Sequence, residues 1–167
     1  GKTTAALGLA LRAVGYGKKI CILQFVKEES WPEGARKAIR TSTLKKNIDI
    51  KALGSGFVGI LGDTKPKEAH KIRAARASKI ALETIKSGNY DIVILDELLG
   101  ALYGDLISKK DVQSLLVEKQ ESSLDALVIT GRNAPKWLIT EADLVTEMKE
   151  IKHPFQKGIQ AKKAVDF

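Results

Sequence analysis

The chain has 167 residues, of which 44% are hydrophobic and 29% charged, with a formal net charge of +8 and one cysteine. That length supports a single domain with a real core, and no apolar run reaches a membrane span nor does a leader pattern stand at the start. The lysines are scattered, in short pairs such as Lys18 and Lys19, and aromatics make up 5%, so a small anionic ligand is expected rather than a nucleic-acid or membrane surface. Cys21 excludes an internal disulfide and lies in an apolar run, as a buried small hydrophobe of a cytoplasmic protein would.

Gly1, Lys2, Thr3 and Thr4 read as the back half of the phosphate-loop pattern G-x-x-x-x-G-K-[ST], so the chain is expected to begin inside that motif, as one nucleotide-binding domain over 1–167 lacking some upstream residues. A helix is predicted over 4–14, its apolar face marked by Ala6, Leu7, Ala10, Leu11 and Val14 and its end by Gly15 and Gly17. Free amides at such a helix start hold phosphate oxygens, Lys2 reaches the terminal phosphates, and the Thr3 hydroxyl suits Mg²⁺. Residues 19–26 form a continuous apolar run, as in a strand buried on both faces. Gln24 interrupts it near the end where open α/β sheets bind ligands, and its partner is backbone or ligand. Turn formers follow at Trp31, Pro32, Glu33 and Gly34.

A shorter strand is predicted at 48–53, then a glycine-rich loop over 54–62 with Phe57, Val58, Ile60 and Leu61 on no regular face. The helix predicted over 67–86 has Ala69, Ile72, Ala75, Ala81, Leu82 and Ile85 on its apolar side. At 90–97 an aliphatic strand ends in Asp96 and Glu97, carboxylates delivered to the sheet edge, where with a phosphate loop they hold Mg²⁺ directly or through water. After a helix or turn at 98–107, Ser108 caps a helix through 116. The strand at 126–132 ends in Thr130, Gly131 and Arg132, and Arg132 suits a phosphate or one of the acids. A short helix at 136–140, a strand at 142–148, a turn with His153 as a capping residue and an edge strand at 159–167 complete the prediction.

Taken in order, Gly-Lys-Thr-Thr-Ala-Ala at the start, Gln24-Phe25-Val26-Lys27, Trp31-Pro32-x-Gly34, Gly56-Phe57, Leu95-Asp96-Glu97-Leu98, Thr130-Gly131-Arg132, 142–148 and Lys152-His153-Pro154-Phe155 resemble the P-loop ATP:corrinoid adenosyltransferases. That family acts on cob(I)alamin or cob(I)yrinic acid a,c-diamide. The resemblance implies an α/β, RecA-like P-loop fold with a mostly parallel sheet, and a homodimer. It implies transfer of the 5′-deoxyadenosyl group of ATP to the Co(I) of a reduced corrinoid, releasing triphosphate, in adenosylcobalamin synthesis or salvage. Substrate Co(I) is then the nucleophile, and a flavoprotein reductase is an implied partner. Carried over by position, Gly1, Lys2, Thr3, Thr4 and Arg132 contact ATP. Thr3, Glu97 and Asp96 hold Mg²⁺ (or Mn²⁺), and Phe57 lies under the corrin and keeps the lower ligand off cobalt. The chain departs from the family pattern at Glu28, Ala35, Gly59 and Ala164, in corrin-side loops and the terminus rather than the phosphate site. Two other functions fit the residues: a P-loop kinase or ATPase acting at the γ-phosphate, and a non-catalytic ATP-binding regulatory module.

Overall fold

The computed structural model describes residues 1–56, 58 and 63–165. In chain order the elements are α1 (Lys2–Val14), β1 (Ile20–Gln24), α2 (Gly34–Thr41), β2 (Ile48–Ala52), α3 (Lys67–Lys86), β3 (Ile92–Asp96), α4 (Leu98–Tyr103), α5 (Lys109–Glu121), β4 (Ala126–Ile129) and α6 (Lys136–Glu141). The strands pair in the order β2-β1-β3-β4, every pair parallel, as one four-stranded sheet. Parallel strands need crossovers, and the helices that supply them cover both faces, so β1 and β3 are buried at every position.

Side chains alternate between two cores. Ile20 and Ile22 of β1, Ile48 and Ile50 of β2 and Ile92 and Ile94 of β3 pack with Ala6, Ala10 and Ala13 of α1. Cys21, Leu23, Val93 and Leu95 face the other way, onto Ala74, Ala77, Ala81 and Ile85 of α3 and Val112 and Leu115 of α5. Cys21 is fully buried, and that burial pushes its thiol up to about 12, so it behaves as packing. The helical faces are rotated from the prediction. Alanines let α1 and α3 sit close to the sheet, which leaves Leu11 and Ile72 exposed and buries His70. Ser108 does cap α5, in a reciprocal box with Asp111.

Two predicted strands are corrected. Residues 142–148 are exposed and belong to no strand, and neither do 159–165. Alternation in 142–148 supplies two faces but not a pairing partner, and a strand without ladder bonds does not persist. His153 does cap locally, its Nδ1 accepting from the amide of Phe155 at 3.1 Å. Among the described residues no helix is long and apolar enough to cross a membrane.

Candidate functional site

The same alternation builds the site. Gln24 follows the parity of Ile20 and Ile22, Asp96 that of Ile92 and Ile94, and Thr130 that of Ala126 and Val128. All three therefore lie on the face covered by α1, at the carboxyl edge of the sheet. Register brings Gln24 beside Asp96. The start of α1 closes over them: the Thr3 hydroxyl donates to Asp96 Oδ1 at 2.9 Å, and the Thr130 hydroxyl donates to the same oxygen at 2.9 Å. Asp96 is 1% exposed, so these bonds and the approach of Gln24 Nε2 to Oδ2 at 3.5 Å hold its charge in place.

The first bond within α1 runs from the Ala5 amide to the Gly1 carbonyl at 2.9 Å. The amides of Lys2, Thr3 and Thr4 thus lie ahead of the helix's own hydrogen-bond ladder, at the positive end of a 13-residue helix whose first turn contains no acid. Lys2 and Thr3 are half-buried; Gly1 and Thr4 are exposed. Residue 148 returns to this edge although its segment is no strand, for a Cβ on Gly1 would lie 2.8 Å from Cε of Met148.

Glu97 leaves β3 in a left-handed conformation (φ 60°, ψ 24°), with its amide donating to the Thr130 hydroxyl at 3.0 Å. That turn takes the chain out of the strand and sets the carboxylate beside the α1 start. Burial pushes the Glu97 carboxyl above its usual range; the Lys2 ammonium opposes this, the Asp96 charge adds to it, and Arg132 and Lys27 oppose it. Those influences place Lys2, Asp96 and Arg132 each within electrostatic reach of Glu97. Arg132 itself is exposed. It follows Gly131, which has φ 146° and where a Cβ would fall 2.4 Å from Leu99 Cβ. Gly131→Ala is therefore expected to lower stability by about 2–4 kcal/mol, through backbone strain and overpacking, measured by urea unfolding. An unfolding midpoint equal to the parent's would contradict this account of the crossing.

A polar cluster beside these residues had little sequence signal. Gln24 has side-chain partners within the fold: Nε2 donates to Glu33 Oε1 at 3.1 Å and Oε1 accepts from Arg36 at 3.5 Å. Arg36, 4% exposed, also donates to the carbonyls of Glu28, Glu29 and Trp31 at 3.1, 3.3 and 2.5 Å, fixing the loop after β1. Lys27 pairs with Glu33 and lies 3.9 Å from Asp96 Oδ2. Among the described residues, Glu33 Oε2 is buried without a hydrogen-bond partner. Glu33 stood in the sequence only as a turn residue, and Arg36 carried no motif. Phe57 lies outside the described residues.

An all-parallel sheet flanked by helices, with a Gly-Lys-Thr helix start set against an acidic strand end, defines a protein consistent with the RecA-like P-loop class. The family model for ATP:corrinoid adenosyltransferase BtuR/CobO/CobP matches residues 1–167. Similar proteins include the corrinoid adenosyltransferase of Escherichia coli K12, 31% identical over 167 residues that cover all of this chain and 80% of that protein. The corrinoid adenosyltransferase of a Sinorhizobium species is 34% identical over 171 residues, covering all of this chain and 75% of its own length. Corrinoid adenosyltransferase CobA of Salmonella typhimurium LT2 is 30% identical over 167 residues, with 100% and 80% covered. The chain belongs to the ATP:corrinoid adenosyltransferase family, and is an enzyme of adenosyl transfer from ATP to a corrinoid.

Proposed function

We propose that Co(I) of the reduced corrinoid attacks the ribose C5′ of ATP, forming the Co–C bond as the C5′–O bond breaks and triphosphate leaves whole. The observation that carries this assignment of roles is the Thr3–Asp96 hydrogen bond, which sets the α1 amides and Lys2 opposite the acids of β3. Negative charge grows on the departing oxygen, so the chain's work is to hold the triphosphate and neutralise it. The amides of Lys2, Thr3 and Thr4 and the Lys2 ammonium do this from α1, with Gly1 heading the helix and Arg132 adding a cation from beyond β4. No side-chain nucleophile takes part.

The oxygens of Thr3, Asp96 and Glu97 are hard donors, and among the described residues no hydrogen bond holds the Glu97 carboxylate. That set fits Mg²⁺ or Mn²⁺ bound partly through phosphate and water. Such an ion, when bound, spreads the leaving-group charge. Phe57 under the corrin, the homodimer and a reductase partner rest on the resemblance.

Product analysis tests the proposal. With ATP, Mg²⁺ and chemically reduced cobalamin, the expected products are triphosphate and an adenosylated corrinoid. ADP and phosphate would instead identify chemistry at the γ-phosphate, and ATP binding without turnover would identify a regulatory module.

A further inference from the structure

Lys27 ends the run that begins at Gln24 and stands outside the ATP contacts of α1 and Arg132. Its carbonyl accepts from the Gly54 amide at 3.0 Å, which pins its backbone at the carboxyl edge of the sheet. The side chain is 22% exposed, and Nζ lies 3.9 Å from Asp96 Oδ2. Asp96 Oδ1 is taken by the Thr3 and Thr130 hydroxyls, so this acid has the head of α1 at one oxygen and Lys27 toward the other. A Cβ on Gly100 would lie 3.6 Å from Glu97 Oε2 and 3.7 Å from Val26 Cγ2, so Glu97 and the residue before Lys27 border one spot. The Lys27 charge also reaches the Glu97 carboxyl, where it opposes the rise that burial causes.

The other partner of Lys27 is Glu33. It stands at the head of α2, yet its carboxylate does not cap that helix. Instead it turns inward, 8% exposed, onto Lys27 and Gln24. Both donors go to Oε1, while among the described residues Oε2 is buried with no hydrogen-bond partner. Gln24 does not need a charge there, since its oxygen faces Arg36 and a neutral acceptor would serve its nitrogen as well. A buried carboxylate with one unused oxygen is costly, and the cation beside it offsets that cost. Two buried acids, Glu33 and Asp96, therefore face one ammonium.

We infer that Lys27 is a substrate-contacting cation for the triphosphate, working opposite Lys2, and that Glu33 is its positioning residue, holding the ammonium beside Asp96 until the nucleotide takes it. This rests on the reading that the triphosphate lies between the start of α1 and the acids of β3. A lysine suits the task, because a compact ammonium on a flexible stem serves a carboxylate and a phosphate in turn. Glu33 and the triphosphate compete for the same Nζ. Losing Lys27 therefore weakens phosphate binding, whereas losing the Glu33 charge strengthens it. An ion pair that only holds the loop would give both losses the same sign.

Calorimetry with inorganic tripolyphosphate, on the full chain at one fixed Mg²⁺ concentration, reads that sign. Lys27→Met is expected to weaken binding about tenfold or more, with Lys27→Arg retaining most of the affinity. Glu33→Gln keeps the size of the side chain and an acceptor for Gln24, and is expected to tighten binding about threefold. In Lys27→Met, kcat for adenosyl transfer is expected to fall about tenfold or more, because the leaving triphosphate gains charge. Unchanged affinity in Lys27→Met, or unchanged or weaker affinity in Glu33→Gln, overturns the proposal. If Glu33→Gln does not fold, the two Lys27 variants decide: equal losses in methionine and arginine mark packing rather than charge and overturn it. A parent that binds tripolyphosphate but forms no adenosylated corrinoid strikes the adenosyl-transfer reading alone, and the same affinities still decide the role of Lys27.

Discussion

Replacing Lys2 with alanine is expected to lower kcat for adenosyl transfer by about 10²–10³-fold, the loss typical of removing one donor from a developing oxyanion. The argument rests on place and charge. Lys2 is the first residue of α1, half-buried, and its ammonium pulls down the Glu97 carboxyl across the site. Triphosphate leaves with more charge on its bridging oxygen than ATP carries there, so a fixed cation at this point stabilises the transition state more than the ground state. The loss is therefore expected in kcat as well as in ATP affinity. Lys2 belongs to neither core, so the melting temperature should stay within about 2 °C of the parent, as for most substitutions outside a packed core. Steady-state adenosylation of chemically reduced cobalamin measures this. A rate within about threefold of the parent would remove Lys2 from the reaction.

Glu97→Gln is expected to have the second large effect, in opposite directions for activity and stability. Burial, with the Asp96 charge adding to it, raises the Glu97 carboxyl above its ordinary range despite Lys2, Arg132 and Lys27. A group raised in the folded chain favours folding fully only below its unfolded value, and that contribution is lost as pH rises through the folded value. At neutral pH the ionised Glu97 is thus a cost to the ligand-free fold. Glu97→Gln should melt higher than the parent at pH 7 in the presence of a chelator, with the gap narrowing as pH falls toward the usual carboxylate range. Its kcat/KM at a fixed, limiting Mg²⁺ concentration should fall about 10²-fold, because an amide is a weaker ligand than a carboxylate for a hard cation. In the parent, lowering pH toward the raised value should increase the Mg²⁺ needed for half-maximal rate, as protons compete for the same oxygens. A variant that melts lower at pH 7, or a Mg²⁺ requirement flat with pH, would contradict this role.

Much of this was legible in the residues because β1 and β3 are buried on both sides and so read as unbroken apolar runs. Their period also puts Gln24 and Asp96 on one face, which makes the meeting of α1 with the acidic strand end readable before any contact is measured. What could not be read depends on contacts between segments. The strand predicted at 142–148 failed because alternation describes a segment's faces and says nothing of a neighbour to pair with. Hydrophobicity puts Leu11 and Ile72 inward, whereas close packing against the sheet selects the smaller Ala13, Ala74 and Ala77. Arg36 gains its importance from carbonyls of the loop after β1, and Glu33 from the Gln24 amide at the end of that strand. His70 reads like any polar residue near a helix start, and only the fold brings Ser55 and Asp63 to its ring.

The Gln24 amide restricts what evolution or design can write at that position. Its oxygen faces the buried Arg36 guanidinium and its nitrogen faces Glu33 and Asp96. Turning it over would set oxygen against two carboxylates and NH₂ against a cation, so the amide has one orientation here. Glutamate would bring a third negative charge into the cluster, lysine a third positive one beside Arg36 and Lys27, and an aliphatic chain would leave donors and acceptors facing a gap. The position accepts a type of group, neutral overall and opposite at its two ends, more strictly than it accepts a shape.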